Sequence, residues 1–158
     1  MNQTQQQTGS ATIELIIFNV GDLVCGIDIN HAQEINRNLE ITPVPQSADY
    51  VRGVLNLRGQ LITVIDLHEK LGLESVDINP DMRIIVVRSQ DDTDTAVGLL
   101  VDGVDDIIIA REKELSPPPS NIGGVTGKFF HAVYKMETDL AAVLNIQEVL
   151  KKVELATT

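Results

Sequence analysis

The sequence has no tryptophan, one cysteine, two tyrosines and three phenylalanines among 158 residues. Proteins that stack nucleic-acid bases need several exposed rings, so this thin aromatic set argues against that mode of binding. One cysteine cannot close an internal disulfide, which suits a reducing compartment. Cys25 lies in Leu23-Val24-Cys25-Gly26-Ile27, an apolar run where a thiol serves as a small buried hydrophobe. Basic charge is also scarce: 12 Lys plus Arg stand against 23 Asp plus Glu, a formal net charge of −11. That balance repels phosphate backbones and anionic lipid, which argues against nucleic-acid partners and direct membrane insertion. Long apolar runs are missing too. Ile13 to Phe18 and Ile107 to Ala110 are strand-sized, well short of the roughly 20 residues a membrane-crossing helix needs. Asn2 to Thr8 are polar, without the basic and apolar regions of a signal peptide. Residues 1–11 and 154–158 are therefore expected to be tails, and the chain to be cytoplasmic.

What is present is Val, Ile and Leu in short runs punctuated by Gly, Asp, Asn and Pro, the pattern of many short strands. The expected fold is mainly β. Ile13 to Val20 and Leu23 to Ile29 flank Gly21-Asp22, which predicts a hairpin. Val51 to Leu57 and Leu61 to Ile65 flank Arg58-Gly59-Gln60, a second hairpin whose Gly59 supplies positive φ. Asp66 to Gly72 predicts one or two helical turns, with Asp66 as N-cap, Glu69 completing a capping box and Gly72 as the stop.

The same plan occurs twice along the chain. Gly26, Ile27, Ile29, Ala32, Glu34 and Ile35 recur as Gly98, Leu99, Val101, Val104, Asp106 and Ile107. Pro43-x-Pro45 recurs near Pro117-x-Pro119, and Val64-Ile65-Asp66-Leu67 with Glu69 and Leu71 recurs as Val143-Leu144-Asn145-Ile146 with Glu148 and Leu150. Strands in register joined by loops of unequal length account for the growing offset. Two small units therefore share residues 12–153, with approximate halves at 12–75 and 80–150 and a closing helix near Ile146 to Val153. Units this small are marginal alone and are expected to pack together.

Catalytic chemistry finds little support. His31, His68 and His131 fall in separate segments with no second ligand at i+2 to i+4, so surface histidines are expected rather than a metal site. Ile122 to Gly127 is glycine-rich but lacks the Gly-Lys-Ser/Thr ending of a phosphate loop and is expected to be a flexible connector. Asp91-Asp92-Thr93-Asp94 lacks the glycine and distal glutamate of a calcium loop and suits a solvated hairpin tip. Ser116 to Ser120, with three prolines in a row, suits a stiff crossover. No cofactor or metal is expected. An enzyme with an acidic pocket and a small-barrel module for peptides or small ligands remain the alternative classes.

Val51-Arg52-Gly53-Val54-Leu55-Asn56-Leu57-Arg58-Gly59-Gln60-Leu61-Ile62-Thr63-Val64-Ile65-Asp66-Leu67 is the most distinctive stretch. It resembles the signature of CheW-like domains, with support from Gly26 to Ile29, Gln33-Glu34-Ile35 and Gly98 to Val104. The resemblance runs from about Ile13 to Leu150. It implies two SH3-like five-stranded β-barrels packed together with short helices, one of them at the C-terminus. The implied role is a non-catalytic adaptor joining the cytoplasmic hairpin tip of chemoreceptors to the regulatory domain of the histidine kinase CheA, with possible self-association in receptor arrays. Departures from the family pattern are Thr63 in place of a proline, Ala132 in place of a glycine, and the bulky Phe129-Phe130-His131.

The family's Asn-Leu-Arg-Gly turn maps onto Asn56, Leu57, Arg58 and Gly59, and its strand before that turn onto Ala32 to Asn36. An arginine at a hairpin tip presents its planar donor fork outward. Arg58 is expected to pair with Glu34 at the rim of a groove between the units. An exposed pair adds little stability, so its role would be orientation. Val54, Ile62 and Ile35 cannot all be assigned to a barrel interior by alternation, so either some face a partner or all lie in the core or between the units. The candidate receptor- and kinase-binding set is therefore Glu34, Ile35, Val54, Asn56, Leu57, Arg58, Gly59 and Ile62.

Overall fold

Strands dominate because nearly every apolar run is short, β-branched and closed by a turn former. The computed structural model describes residues 11–88 and 95–151. In chain order the strands are β1 (Thr12–Val20), β2 (Leu23–Asp28), β3 (Ala32–Asn36), β4 (Val51–Leu57) and β5 (Gln60–Asp66), followed by helix α1 (Leu67–Lys70). Then come β6 (Arg83–Arg88), β7 (Ala96–Val101), β8 (Gly103–Arg111), β9 (Leu115–Ser116), β10 (Asn121–Ile122), β11 (Val125–Thr126), β12 (Phe130–Lys135), β13 (Leu140–Leu144) and helix α2 (Ile146–Leu150). The aspartate tract at 91–94 lies outside the described residues.

Sheet 1 has the order β8-β1-β2-β13-β12-β9, and sheet 2 the order β3-β6-β7-β5-β4. The twofold plan is real. β13 lies parallel to β2 with Val143 opposite Gly26, and β5 lies parallel to β7 with Val64 opposite Gly98. These are the same two repeat positions in each sheet. The two units, however, are not the halves 12–75 and 80–150. Each repeat gives its first hairpin to the other repeat's sheet: β1 and β2 join β8, β12 and β13, while β6 and β7 join β3, β4 and β5. The two-residue β9 adds a sixth strand to sheet 1, beyond the five expected.

Every central strand has two apolar faces, as buried strands require. Leu15 and Ile17 of β1 face the interior of sheet 1, while Ile16, Phe18 and Val20 face a large cluster shared by both sheets. In β6, Ile84 and Val86 face the interior of sheet 2, while Ile85 and Val87 face the shared cluster. Cys25 lies in that shared layer, where burial pushes its thiol pKa up and keeps it protonated. Phe130 is buried there too, and Phe129 packs against it, which accounts for the bulky segment. Two separate interiors and one common layer agree with two packed SH3-like units.

Three local expectations need correction. Asp66 does cap α1, accepting from the His68 backbone N–H at 2.9 Å, but its own N–H donates to the Tyr50 carbonyl, so that donor is already taken in the β4–β5 region. The Ile122 to Gly127 segment is no loose connector: β10 and β11 pair across Gly123-Gly124, both with positive φ, as a tight two-residue turn demands. His68, expected at the surface, is 1% exposed, because α1 turns it into the join between the sheets. His131 is exposed and His31 half-buried. Among the described residues, no helix is long and apolar enough to cross a membrane.

Candidate interaction surface

The β4–β5 hairpin turns on two residues rather than three, since Leu57 pairs with Gln60. Arg58 (φ 50°) and Gly59 (φ 85°) both adopt left-handed backbone, the requirement of a type I′ turn. A left-handed arginine is uncommon and carries a cost that the fold must offset. Asn56 helps offset it: its side-chain oxygen accepts the Gly59 N–H at 2.9 Å. Asn56 and Gly59 thus shape the turn, and Arg58 is what the turn presents.

The Arg58 side chain is 71% exposed, and its guanidinium donates to the Glu34 carboxylate on β3. The hydrogen bond to Glu34, and then its charge, hold the Arg58 pKa above its ordinary value. β3 and β4 are opposite edges of sheet 2. Flat strands would place those edges roughly 19 Å apart at the usual interstrand spacing. The ion pair therefore marks the seam where sheet 2 curls back on itself, rather than the rim of a groove between the units as expected.

The remaining candidates divide by burial. Ile35 is 40% exposed at the β3 edge. It lies opposite Ile85, a member of the shared cluster, so it extends the inter-sheet face beyond its covered area. Ile62 is 2% exposed and Leu57 7%, and both belong to the interior of sheet 2. These two are packing residues, not partner contacts. Val54 is half-buried, and both its backbone groups bond Thr42 at 2.8 Å, which covers the outer edge of β4 there.

Two exposed residues escaped sequence reasoning. Ile107 and Ile109 on β8 are 53% and 67% exposed. Ile107 lies opposite Ile16 of the shared cluster, so it too stands on the inter-sheet face, at the edge of sheet 1. The repeat held the signal, since Ile107 is the counterpart of Ile35. Both sheets thus end in an edge strand that carries isoleucine past the shared layer.

Among the described residues, nothing comparable points to catalysis. Among the described residues, no group of three His, Cys, Asp or Glu side chains could hold a metal. Ser116, His131 and Asp28 line one open cleft of about 530 Å³, but Asp28 spends its carboxylate on the Asn30 N–H at 2.9 Å. Two curled β-sheets with exposed edges and an arginine tip have the form of a protein-interaction module.

A family model described as the CheW-like domain matches residues 14–154. The chain belongs to that family, whose members are non-catalytic scaffolds that couple chemoreceptors to the histidine kinase CheA. Curated relatives include the chemotaxis protein CheW of Helicobacter pylori, 30% identical over 94% of this chain and 88% of the relative. That of Thermotoga maritima is 31% identical over 89% of each. Among solved structures, the scaffolding protein TtCheW of Thermoanaerobacter tengcongensis aligns with a TM-score of 0.79 at 26% identity, covering 89% of both chains.

Proposed function

We propose that this chain couples receptor to kinase through two patches of different character, one polar and one apolar. The first is the β4–β5 tip, where Arg58 and Glu34 form a fixed, outward-facing charge pair framed by Asn56 and Gly59. A kinase regulatory domain with complementary polar groups would dock there, guided by the arginine fork. The second is the apolar margin formed by Ile35 on one sheet edge and by Ile107 and Ile109 on the other. It suits the amphipathic helices of a receptor hairpin tip, which bury apolar side chains in a groove. Association with membrane receptor arrays would follow from these contacts.

One observation carries the reading: Arg58 is held in a costly left-handed turn and paired across the sheet seam, yet remains mostly exposed. Strain retained at an exposed side chain points to recognition rather than stability. The test is reconstitution of receptor, kinase and this protein, with kinase autophosphorylation as the readout. Arg58→Ala should leave the melting curve unchanged and weaken kinase recruitment. Wild-type coupling by Arg58→Ala would refute the role of the tip.

A further inference from the structure

The chain passes from β7 in sheet 2 to β8 in sheet 1 through one residue, Asp102. That residue is tied on both sides of the join. Its backbone N–H donates to the Asn19 carbonyl at 3.0 Å, and its carboxylate accepts the Gly21 N–H, so it holds the end of β1 and the β1–β2 turn of sheet 1. The same carboxylate oxygen lies 3.0 Å from Nε2 of the buried His68. The other ring nitrogen, Nδ1, lies 3.2 Å from the Asp66 carboxylate at the end of β5 in sheet 2.

The ring has little freedom to turn away from either partner. Its backbone N–H donates to Asp66 and its carbonyl accepts the Leu73 N–H at 2.7 Å. The second Asp66 oxygen is occupied by the Ser75 hydroxyl and by Arg52 Nε at 3.2 Å. Burial alone would raise the Asp66 pKa, but the bonds from Ser75 and Arg52 and the charge of His68 outweigh it and hold the carboxyl below its usual range. Asp66 therefore faces the ring as a carboxylate. Asp22 and Glu74 line the same cleft of about 390 Å³ as His68, so further charge on that side is also negative.

A neutral imidazole has one N–H donor and one acceptor nitrogen. Set between two carboxylate oxygens, it would leave one nitrogen facing an acceptor with no hydrogen between them, a costly arrangement in a buried site. The imidazolium donates from both nitrogens and satisfies both partners.

We propose that His68 is a proton-dependent clasp between the two sheets, donating from Nδ1 to Asp66 and from Nε2 to Asp102. Loss of that proton frees the β1–β2 turn and the start of β8 from sheet 2. Proton binding favours the clasped state, so the clasp is complete at lower pH and is lost as pH rises. The device is one-sided. At the corresponding repeat positions stand Asn30, Asn145 and Gln147, none of which titrates. Because β8 also carries Ile107 and Ile109, the clasp governs how firmly that apolar margin is held.

The test is nitrogen-15 NMR on the full chain labelled at histidine and at backbone amides. At the lower of two pH values both His68 ring nitrogens should be protonated, and at the higher value one should have lost its hydrogen. Over the same range, amide protection at Gly21 and Asp102, corrected for intrinsic exchange, should fall about tenfold. His68→Gln should show the lower protection at both values. A single neutral tautomer throughout overturns the proposal, as does an equal pH-dependent fall in His68→Gln. Should His68→Gln not fold, the wild-type ring nitrogens decide the matter alone.

Discussion

The interiors of the two sheets follow one strand plan and fill it differently. Sheet 2 is packed by Leu55, Leu57, Ile62, Val64, Met82, Ile84 and Leu100. Sheet 1 places Leu15, Ile17 and Val143 against Ala110, Ala132 and Ala141. Small side chains let strands approach closely, while large ones fill a wider space, and both reach the density of a packed core. The lesson is that the repeat preserves register and glycine position, whereas volume is settled locally. The return junctions differ in the same way. Asp66 stands in a charged network at one, and Asn145 at the other caps α2 by accepting the Glu148 N–H at 3.2 Å.

The largest effect should come from sheet 2's interior. Ile62→Ala removes a large buried side chain and should cost about 2–5 kcal/mol by chemical denaturation. A loss no greater than that of an exposed site would mean that sheet 2 is not the filled unit described. Next is the glycine pair. A Cβ at Gly98 would lie 2.7 Å from Ile84 Cγ2, a branched methyl with little room to yield, whereas at Gly26 the nearest atom is Ile17 Cδ1 at 3.5 Å. Gly98→Ala should therefore cost about 1–3 kcal/mol, and Gly26→Ala less than about 1 kcal/mol in either direction. Equal melting shifts would erase the distinction.

Asp66→Asn comes third, at about 1–2 kcal/mol near neutral pH, because it weakens charge-assisted bonds to Arg52 and Ser75. The folded Asp66 pKa is lowered, so its contribution is present above the unfolded value and is lost as pH falls through the folded one. Wild type and Asp66→Asn should thus converge in acid melts, and a gap that persists there would contradict the assignment. The smallest stability change belongs to Ile109→Ser, below about 1 kcal/mol since the side chain is mostly exposed. Its effect should appear in receptor pull-down, and unimpaired capture would remove β8 from the proposed margin.

Much of this was legible in the residues. Alternation and turn formers located both long hairpins, and the order Gly26 to Leu71 against Gly98 to Leu150 exposed the repeat. The Arg58 and Glu34 pairing was expected from an arginine at a hairpin tip and an acid on a neighbouring strand, and the structure holds that pair. Ile62 was misplaced because period-two alternation gives two faces without saying which one a sheet will curl around. His68 was misplaced because it is buried at the join between the sheets and partnered by Asp102, 34 residues further on, at a one-residue crossover that no local pattern marks. Ile107 and Ile109 look like ordinary core residues until their strand is seen to be an edge.

By itself the sequence determined the strand-rich class, the Gly21-Asp22 turn, the Asp66 N-cap and the internal duplication, the first three set by interactions within a few residues. Only the tertiary structure decided that the repeats exchange their first hairpins, that a histidine sits between two carboxylates at the join, and which isoleucines remain uncovered. Those outcomes depend on parallel pairing between distant segments, where many registers satisfy the local pattern and the packing of the whole chain selects one.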